Sequence, residues 1–307
     1  MKKINLYRLL LLFVLLSATS QLHAQQQFTY TQFIDNLTPM NPAWSLTQDA
    51  GAVHFLGRKQ WLNIEGAPST YMANGYVPVK EINASYGFTA LQDKVAIENL
   101  TEVNLFVAKA VQLSDELFLS TAINGGFRRY NAQYSQLDPG DPTLVNSDIR
   151  ENRGNIGASV LLFVPGKFYA GVSLPRIGFQ NLGEGSAAIS RNFKNFYFFN
   201  LGGTFEMTDE FKIESAAVVA YTANVPLQAD LSGKIWVQDA IGFGANYRSN
   251  NEMAVMTSYK TAAFNIGYSY QFMFSGTRIA GFNNSTHEIT LGINFGTTGT
   301  HDLRVRQ

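Results

Sequence analysis

The sequence predicts an all-β protein: a transmembrane, antiparallel, up-and-down β-barrel of about fourteen strands, with an N-terminal plug or periplasmic segment. Three observations predict it. First, apolar and small polar residues alternate with a period of two. In "AFNIGYSYQF", Phe264, Ile266, Tyr268, Tyr270 and Phe272 are separated by Asn265, Gly267, Ser269 and Gln271. Successive strand side chains point to opposite faces, so such a stretch has one lipid-ready face and one wet face. Second, charged residues make up only 15% of the 307, against roughly 25% in soluble domains. Aromatic residues and glycine are plentiful, with 23 Phe, 14 Tyr and 26 Gly. Third, the connections between alternating stretches are short at one end and longer at the other.

The chain opens with "MKKINLYRLLLLFVLLSATSQLHAQQQ". Lys2, Lys3 and Arg8 precede a short apolar run, Leu9 to Leu16, and Ala24 offers a small residue for cleavage before Gln25. This reads as a signal peptide over 1–24, because the run is too short to span about 30 Å as a helix. No later stretch is long and apolar enough for a membrane helix.

Residues 25–49 are different. "QQQFTYTQFIDNLTPMNPAWSLTQDA" has no strand alternation and two prolines. Pro42 fixes its own backbone and biases Asn41 away from helix, so a shaped turn is expected there. Phe33 and Trp44 are large apolar groups that gain by burial. The segment is either a periplasmic extension or a plug entering the lumen.

Strand candidates follow near 50–59, 69–77, 83–91, 100–110, 116–128, 154–164, 167–174, 195–206, 211–221, 226–236, 240–248, 252–260, 263–272 and 286–296. They make a barrel over 50–296, with a periplasmic tail at 297–307. The alternation is regular at Ile241–Arg248 and at Ile289–Gly296. The even-to-odd connections, "PVKEI", "QLSD", "PGK", "MTDE", "VQD" and "TA", are all short, as periplasmic turns are. The three longest, 129–153, 175–194 and 273–285, all fall at the other end. A β-sandwich of this length would be two domains with a linker, and none is visible. A β-helix would show a fixed repeat, and none is present.

A barrel of about fourteen strands is too wide to be filled by its own side chains, so a plug, ligand or guest peptide is expected in the lumen. By phase, the inward set includes His54, Arg58, Asn104, Glu206, Lys212, Glu214, Asp230, Lys234, Trp236, Arg248, Lys260 and Glu288. Asp230 and Lys234 share a face, but four residues of strand span about 13 Å, so each must reach a neighbouring strand, water or a guest. The set is either self-neutralised or binds a guest. Arg58, Asp230, Lys234 and Arg248 are the candidate partner-binding residues.

Several chemistries are excluded. The chain has no cysteine, which removes disulfides, thiol catalysis and a lipoprotein anchor. His54, His287 and His301 stand at unrelated positions, and no metal or cofactor is expected. "LDPGDP" is a turn in the first instance, since Asp-Pro and Pro-Gly pairs make turns. Zero net charge gives no surface for nucleic acid. No catalytic constellation is legible.

Several segments in order resemble the PorP/SprF family, type IX secretion system outer-membrane proteins of Bacteroidetes-type bacteria. "FTYTQFIDNLTPMNPAW" is similar to that family's opening, through Gln32, Phe33, Asn36, Asn41, Pro42, Ala43 and Trp44. "GRKQWLNIEGAPSTY" is similar to an outer-loop pattern carried by Arg58, Trp61, Gly66, Ala67, Pro68, Thr70 and Tyr71. "LDPGDP", "KFYAGVSLPRI", "VPLQADL", "GANYRS", "NIGYSYQF" and "STHEITL" follow in the family's order. Two features depart from it: Trp44 replaces the usual Tyr, and a tail follows Phe295. The resemblance implies export or surface display of a protein partner, gliding adhesins included, with no enzymatic step. Partners would be the secretion machinery and the C-terminal domains of secreted proteins, in a setting of outer-membrane lipid. The alternative is a FadL-like outer-membrane transporter for apolar solutes, which has a similar strand number and an N-terminal plug.

The loop parity makes a topological prediction. Epitope tags at positions 140 and 183 should bind antibody on intact cells, whereas a tag after Gln307 should bind only after permeabilisation. Surface labelling of the C-terminal tag would mean an odd strand count.

Overall fold

In lipid every backbone N–H and C=O must be paired within the protein, so a sheet that crosses the bilayer must close on itself. The computed structural model, which describes residues 29–48, 50–62, 64–137, 140–141, 147–178, 195–223, 225–273 and 285–296, is such a closure. The strands are β1 (Gly51–Gln60), β2 (Ser69–Val79), β3 (Ala84–Val95), β4 (Glu98–Gln112), β5 (Phe118–Ala132), β6 (Ile149–Val164) and β7 (Phe168–Gly178). They continue with β8 (Tyr197–Glu206), β9 (Phe211–Tyr221), β10 (Gln228–Val237), β11 (Ile241–Arg248), β12 (Glu252–Lys260), β13 (Phe264–Met273) and β14 (Thr286–Phe295). Each pairs antiparallel with its neighbours in sequence, and β1 pairs with β14 from Gly51↔Phe295 to Gln60↔Thr286. The fourteen-strand up-and-down barrel is therefore as expected.

The ends of β3 to β7 differ from the expectation. β6 starts at Ile149, ahead of the expected 154, and β5 runs on to Ala132. Their extra residues, among them Arg129, Asn131, Arg150 and Asn152, are polar on the outward face. Above the hydrocarbon the outward face meets water and headgroups, so the alternation fades while the hydrogen-bond ladder continues.

The alternation sorts the two faces. On β13, Ile266, Tyr268 and Tyr270 are exposed, whereas Gly267, Ser269 and Gln271 are buried. Exposed Tyr71, Tyr197, Tyr221, Tyr247 and Tyr270 ring the end with the long connections. Exposed Phe168, Phe205, Phe211, Tyr259 and Phe295 ring the end with the short turns. Such aromatic girdles bound an apolar band about 25 Å tall, with the short turns on the periplasmic side. No described helix is long and apolar enough to cross a membrane. The signal-peptide region 1–24, the tail 297–307, Asp138 and most of the three long connections lie outside the described residues.

The outward face makes a prediction. Ile266→Arg or Tyr268→Arg, near the middle of the apolar band, should cost about 2–4 kcal/mol of stability in lipid. Ser269→Ala on the opposite face should cost far less. Urea titrations into lipid vesicles, read by heat-modifiable gel mobility, measure both, and equal costs would refute the lipid-facing assignment.

Candidate functional site

Fourteen strands enclose more space than their own side chains fill, and the chain fills it with its own N-terminal segment. Residues 29–48 run through the lumen. Thr29 lies by the long-connection end, where the Arg58 guanidinium donates to its carbonyl (2.7 Å) and Gln228 to its hydroxyl (3.1 Å). The backbone turns at Gln32–Asn36 and again at Leu37–Asn41. A 3-10 turn over Pro42–Thr47 then leads to β1 at the short-turn end. Asn41 is extended, with φ −137° and ψ 93°, and its side chain accepts the Ala43 N–H (3.1 Å), capping that turn. This is the shaped turn expected at Asn41-Pro42, and the segment spans the lumen instead of hanging beneath it.

Two unlike walls hold it. Tyr30, Phe33, Leu37, Met40, Ala43, Trp44 and Leu46 pack against apolar inward residues of β1–β6, β8 and β9, including Leu56, Met72, Phe118, Leu161, Phe163, Phe198 and Val218. Phe33 and Trp44 are buried, and burial of a side chain of that size contributes about 1.5–3 kcal/mol. The opposite wall is polar. Glu288, fully buried on β14, accepts the backbone N–H of Thr31 (3.0 Å) and of Gln32 (2.9 Å), one on each carboxylate oxygen. Lys234 on β10 grips the Asp35 carboxylate through both oxygens (2.5 and 2.6 Å) and donates to Ser258 (2.9 Å). Asn36 donates to Asn74 (2.9 Å). Elsewhere round the ring serines meet two more plug carbonyls: Ser173 on β7 donates to that of Met40 (2.7 Å), and Ser120 on β5 to that of Ala43 (3.0 Å). Gly267 makes room for this approach: a Cβ there would lie 2.0 Å from the Gln32 side-chain oxygen and would force that side chain to move.

The four lumen candidates separate by role. Asp230 and Lys234 do not meet, as their spacing requires. Asp230 accepts from Arg248 on the neighbouring strand (2.6 Å), and Arg248 also reaches Glu252 (3.0 Å). Arg58 lies 3.9 Å from Glu288 across the β1–β14 seam and donates to Gln271 (3.1 Å). Lys234 alone of the four pairs with a charge on the plug. Glu206, Lys212 and Lys260, inward by phase, stand at the short-turn rim, where Lys212 pairs with Glu206 and Asp239. Trp61 and Pro68 bound the β1–β2 connection, and the Trp61 N–H donates to Ser285 (2.8 Å). Tyr71, the last residue of that motif, lies on β2 within the expected strand 69–77 and is 60% exposed toward lipid.

Sequence reasoning missed the apolar wall. Its signal was a loss of alternation, in "LLFV" (Leu161–Val164) and "AAVVA" (Ala216–Ala220), where both faces are apolar because one meets lipid and the other the plug. It also missed Asp35 as the partner of Lys234.

Cavities border the plug among the described residues. Two cavities against it hold about 30 and 20 Å³, room for a water or two each. A third, about 740 Å³, forms a vestibule at the short-turn end. Trp44, Ile34 and Phe163 line it with Tyr169, Lys167 and Glu214. Among the described residues no cluster of His, Asp and Glu could hold a metal.

The type IX secretion system membrane protein PorP/SprF is the family whose sequence model matches residues 22–293. The chain belongs to the PorP/SprF family. It is thus an outer-membrane component of type IX secretion, and the plugged barrel is how this PorP/SprF protein is built. No curated protein matches the chain. Among solved structures, the CymD monoaromatic hydrocarbon channel is 11% identical at a TM-score of 0.49, with 88% of this chain and 94% of that one covered. A Pseudomonas aeruginosa FadL homologue is 8% identical at 0.49, covering 86% and 94%. The Pseudomonas putida toluene transporter TodX is 8% identical at 0.43, covering 88% and 95%. Likeness this remote carries no argument about what this PorP/SprF protein does.

The Lys234–Asp35 pair yields a prediction. Lys234→Met leaves a buried carboxylate without its cation and should destabilise the protein by about 3–5 kcal/mol. The double variant Asp35→Asn/Lys234→Met should recover most of that loss. Urea unfolding of the three proteins checks this, and a neutral Lys234→Met would mean that the pair does not hold the plug.

Proposed function

We propose that this protein is a non-enzymatic type IX secretion component that binds a secreted or surface protein partner. The bound element would be the partner's C-terminal domain, and the outcome its export or surface display, gliding adhesins among the cargo. The observation that carries this reading is the filled lumen. Arg58, Asp230, Lys234 and Arg248 are engaged by the wall or by the plug, and the spaces beside the plug admit a water or two. A conduit for apolar solutes needs a passage, and the charged wall of β10–β14 serves such solutes poorly. The short-turn vestibule suits a polypeptide better. Its aromatic floor of Trp44, Phe163 and Tyr169 resembles the anchor pockets of protein interfaces, and Lys167 and Glu214 give it polar edges. A signal peptide over 1–24 is the export route this reading requires.

A photo-crosslinking residue at Thr204, in the vestibule, is the test, with one at lipid-facing Leu105 as control. In secreting cells, polypeptide adducts are expected at Thr204 and not at Leu105. Deleting residues 25–44 should abolish the adduct and raise ion conductance in planar bilayers. Lipid-only adducts at Thr204 would refute the partner reading. Unchanged conductance in a correctly inserted deletion variant would refute the plug's part in it.

A further inference from the structure

The outward face above the apolar band is not the same all the way round. On β8–β13 its upper residues are aromatic or aliphatic: Tyr197, Tyr221, Leu231, Tyr247 and Tyr270, all exposed. On β1–β6, Tyr71 on β2 continues that ring, but the other upper outward residues are mostly basic and polar. Cross-strand pairing sets one continuous row, Lys59–Ser69–Lys94–Asn99–Asn131–Arg150, from β1 to β6. The row beneath runs Gln92–Thr101–Arg129–Asn152. All of these side chains share the outward phase.

The basic groups start where the apolar surface stops. Phe127, the next outward residue below Arg129 on β5, is 52% exposed, and Val103, below Thr101 on β4, is 46% exposed. Lys94, Arg129 and Arg150 are exposed and form no ion pair among the described residues. By strand spacing and rise, successive Cα atoms in the order Lys94, Arg129, Arg150 stand about 8–12 Å apart. The acids at this end mostly face elsewhere. Asp93 bonds Thr70 on the lumen side, Glu98 lies near the Tyr134 hydroxyl, and Asp148 accepts the Ser135 N–H. Asp148 also acts on Arg150 electrostatically, and Glu65 stands exposed in the β1–β2 connection. Lys59 is already committed to the Ala67 carbonyl (3.2 Å).

We propose that Lys94, Arg129 and Arg150, with the amides and hydroxyls between them, bind the phosphate headgroup of a phosphorylated lipid in the outer leaflet. A lipid is the occupant because the surface directly below is apolar and lies in the bilayer. Its acyl chains rest on Val103, Phe127 and Ile156, and that brings its headgroup to the height of the basic rows. Guanidinium groups suit phosphate through paired, charge-assisted hydrogen bonds, and the intervening Asn, Ser and Thr side chains add donors. An acidic protein surface would meet the same charges but would have to displace the lipid from the apolar residues beneath them.

The test uses the full-length protein in phosphatidylcholine nanodiscs containing diphosphoryl lipid A, or the same lipid A stripped of phosphate. Lipid retained per protein after detergent extraction is counted by native mass spectrometry. The wild type should retain the phosphorylated form at least tenfold better than the stripped form, and Lys94→Gln/Arg129→Gln/Arg150→Gln should lose that excess. Lys109→Gln, outward at the short-turn end, should behave as wild type. If the triple variant does not insert, Arg129→Gln alone should reduce retention several-fold in a barrel with normal heat-modifiable mobility. Equal retention by wild type and folded variants, or equal retention of stripped and phosphorylated lipid, would overturn the proposal.

Discussion

Closure of β1 onto β14 is the constraint on which the rest depends. A sheet in hydrocarbon with an unpaired edge would expose backbone groups at several kcal/mol each. Fourteen strands satisfy the constraint, but the ring they form is too wide to fill with inward side chains alone. The N-terminal segment therefore completes the interior, and the wall is shaped to receive it. Hydrophobic burial supplies one side of that fit, and hydrogen bonds to an irregular backbone supply the other.

The polar wall explains why the lumen carries so many ionisable groups without being an open charged pore. An irregular segment in a low-dielectric enclosure cannot satisfy its own N–H and C=O groups as a helix does. Glu288 takes two of these amides at once, Ser120 and Ser173 satisfy carbonyls, and Arg58 a third. Two of the buried cations are in turn balanced: Arg248 by Asp230, and Lys234 by Asp35. The vestibule of about 740 Å³ at the short-turn mouth is where this economy ends and an outside molecule can contribute.

Strand number, phase and loop parity were legible in the sequence because lipid enforces them residue by residue. Every second position must be apolar, and Ile266, Tyr268 and Tyr270 carry that rule visibly. Strand ends were less legible where the rule lapses, as at Arg150–Arg153, which lies above the band with polar residues on both faces. The plug could be read as shaped by Asn41 and Pro42 and as burial-seeking by Phe33 and Trp44. Its path could not, because the contacts of Asp35 with Lys234 and of Thr31 with Glu288 join positions 199 and 257 residues apart. The single-faced rule also hid the apolar inner wall, since Leu161 and Phe163 put apolar side chains on the inward face, where the rule expects polar ones.

Glu288 belongs at once to the seam and to the plug. It stands opposite Arg58 in the register that joins the last strand to the first, and it holds the amides of Thr31 and Gln32. Ring closure and core insertion are therefore one mechanical joint. Residues 29–48 sit like a mandrel inside the sheet, and the last strand is latched to them through that carboxylate. Displacing the mandrel would leave Glu288, buried at the join of first and last strands, without the two amides it now accepts, so the seam and the plug share one electrostatic account.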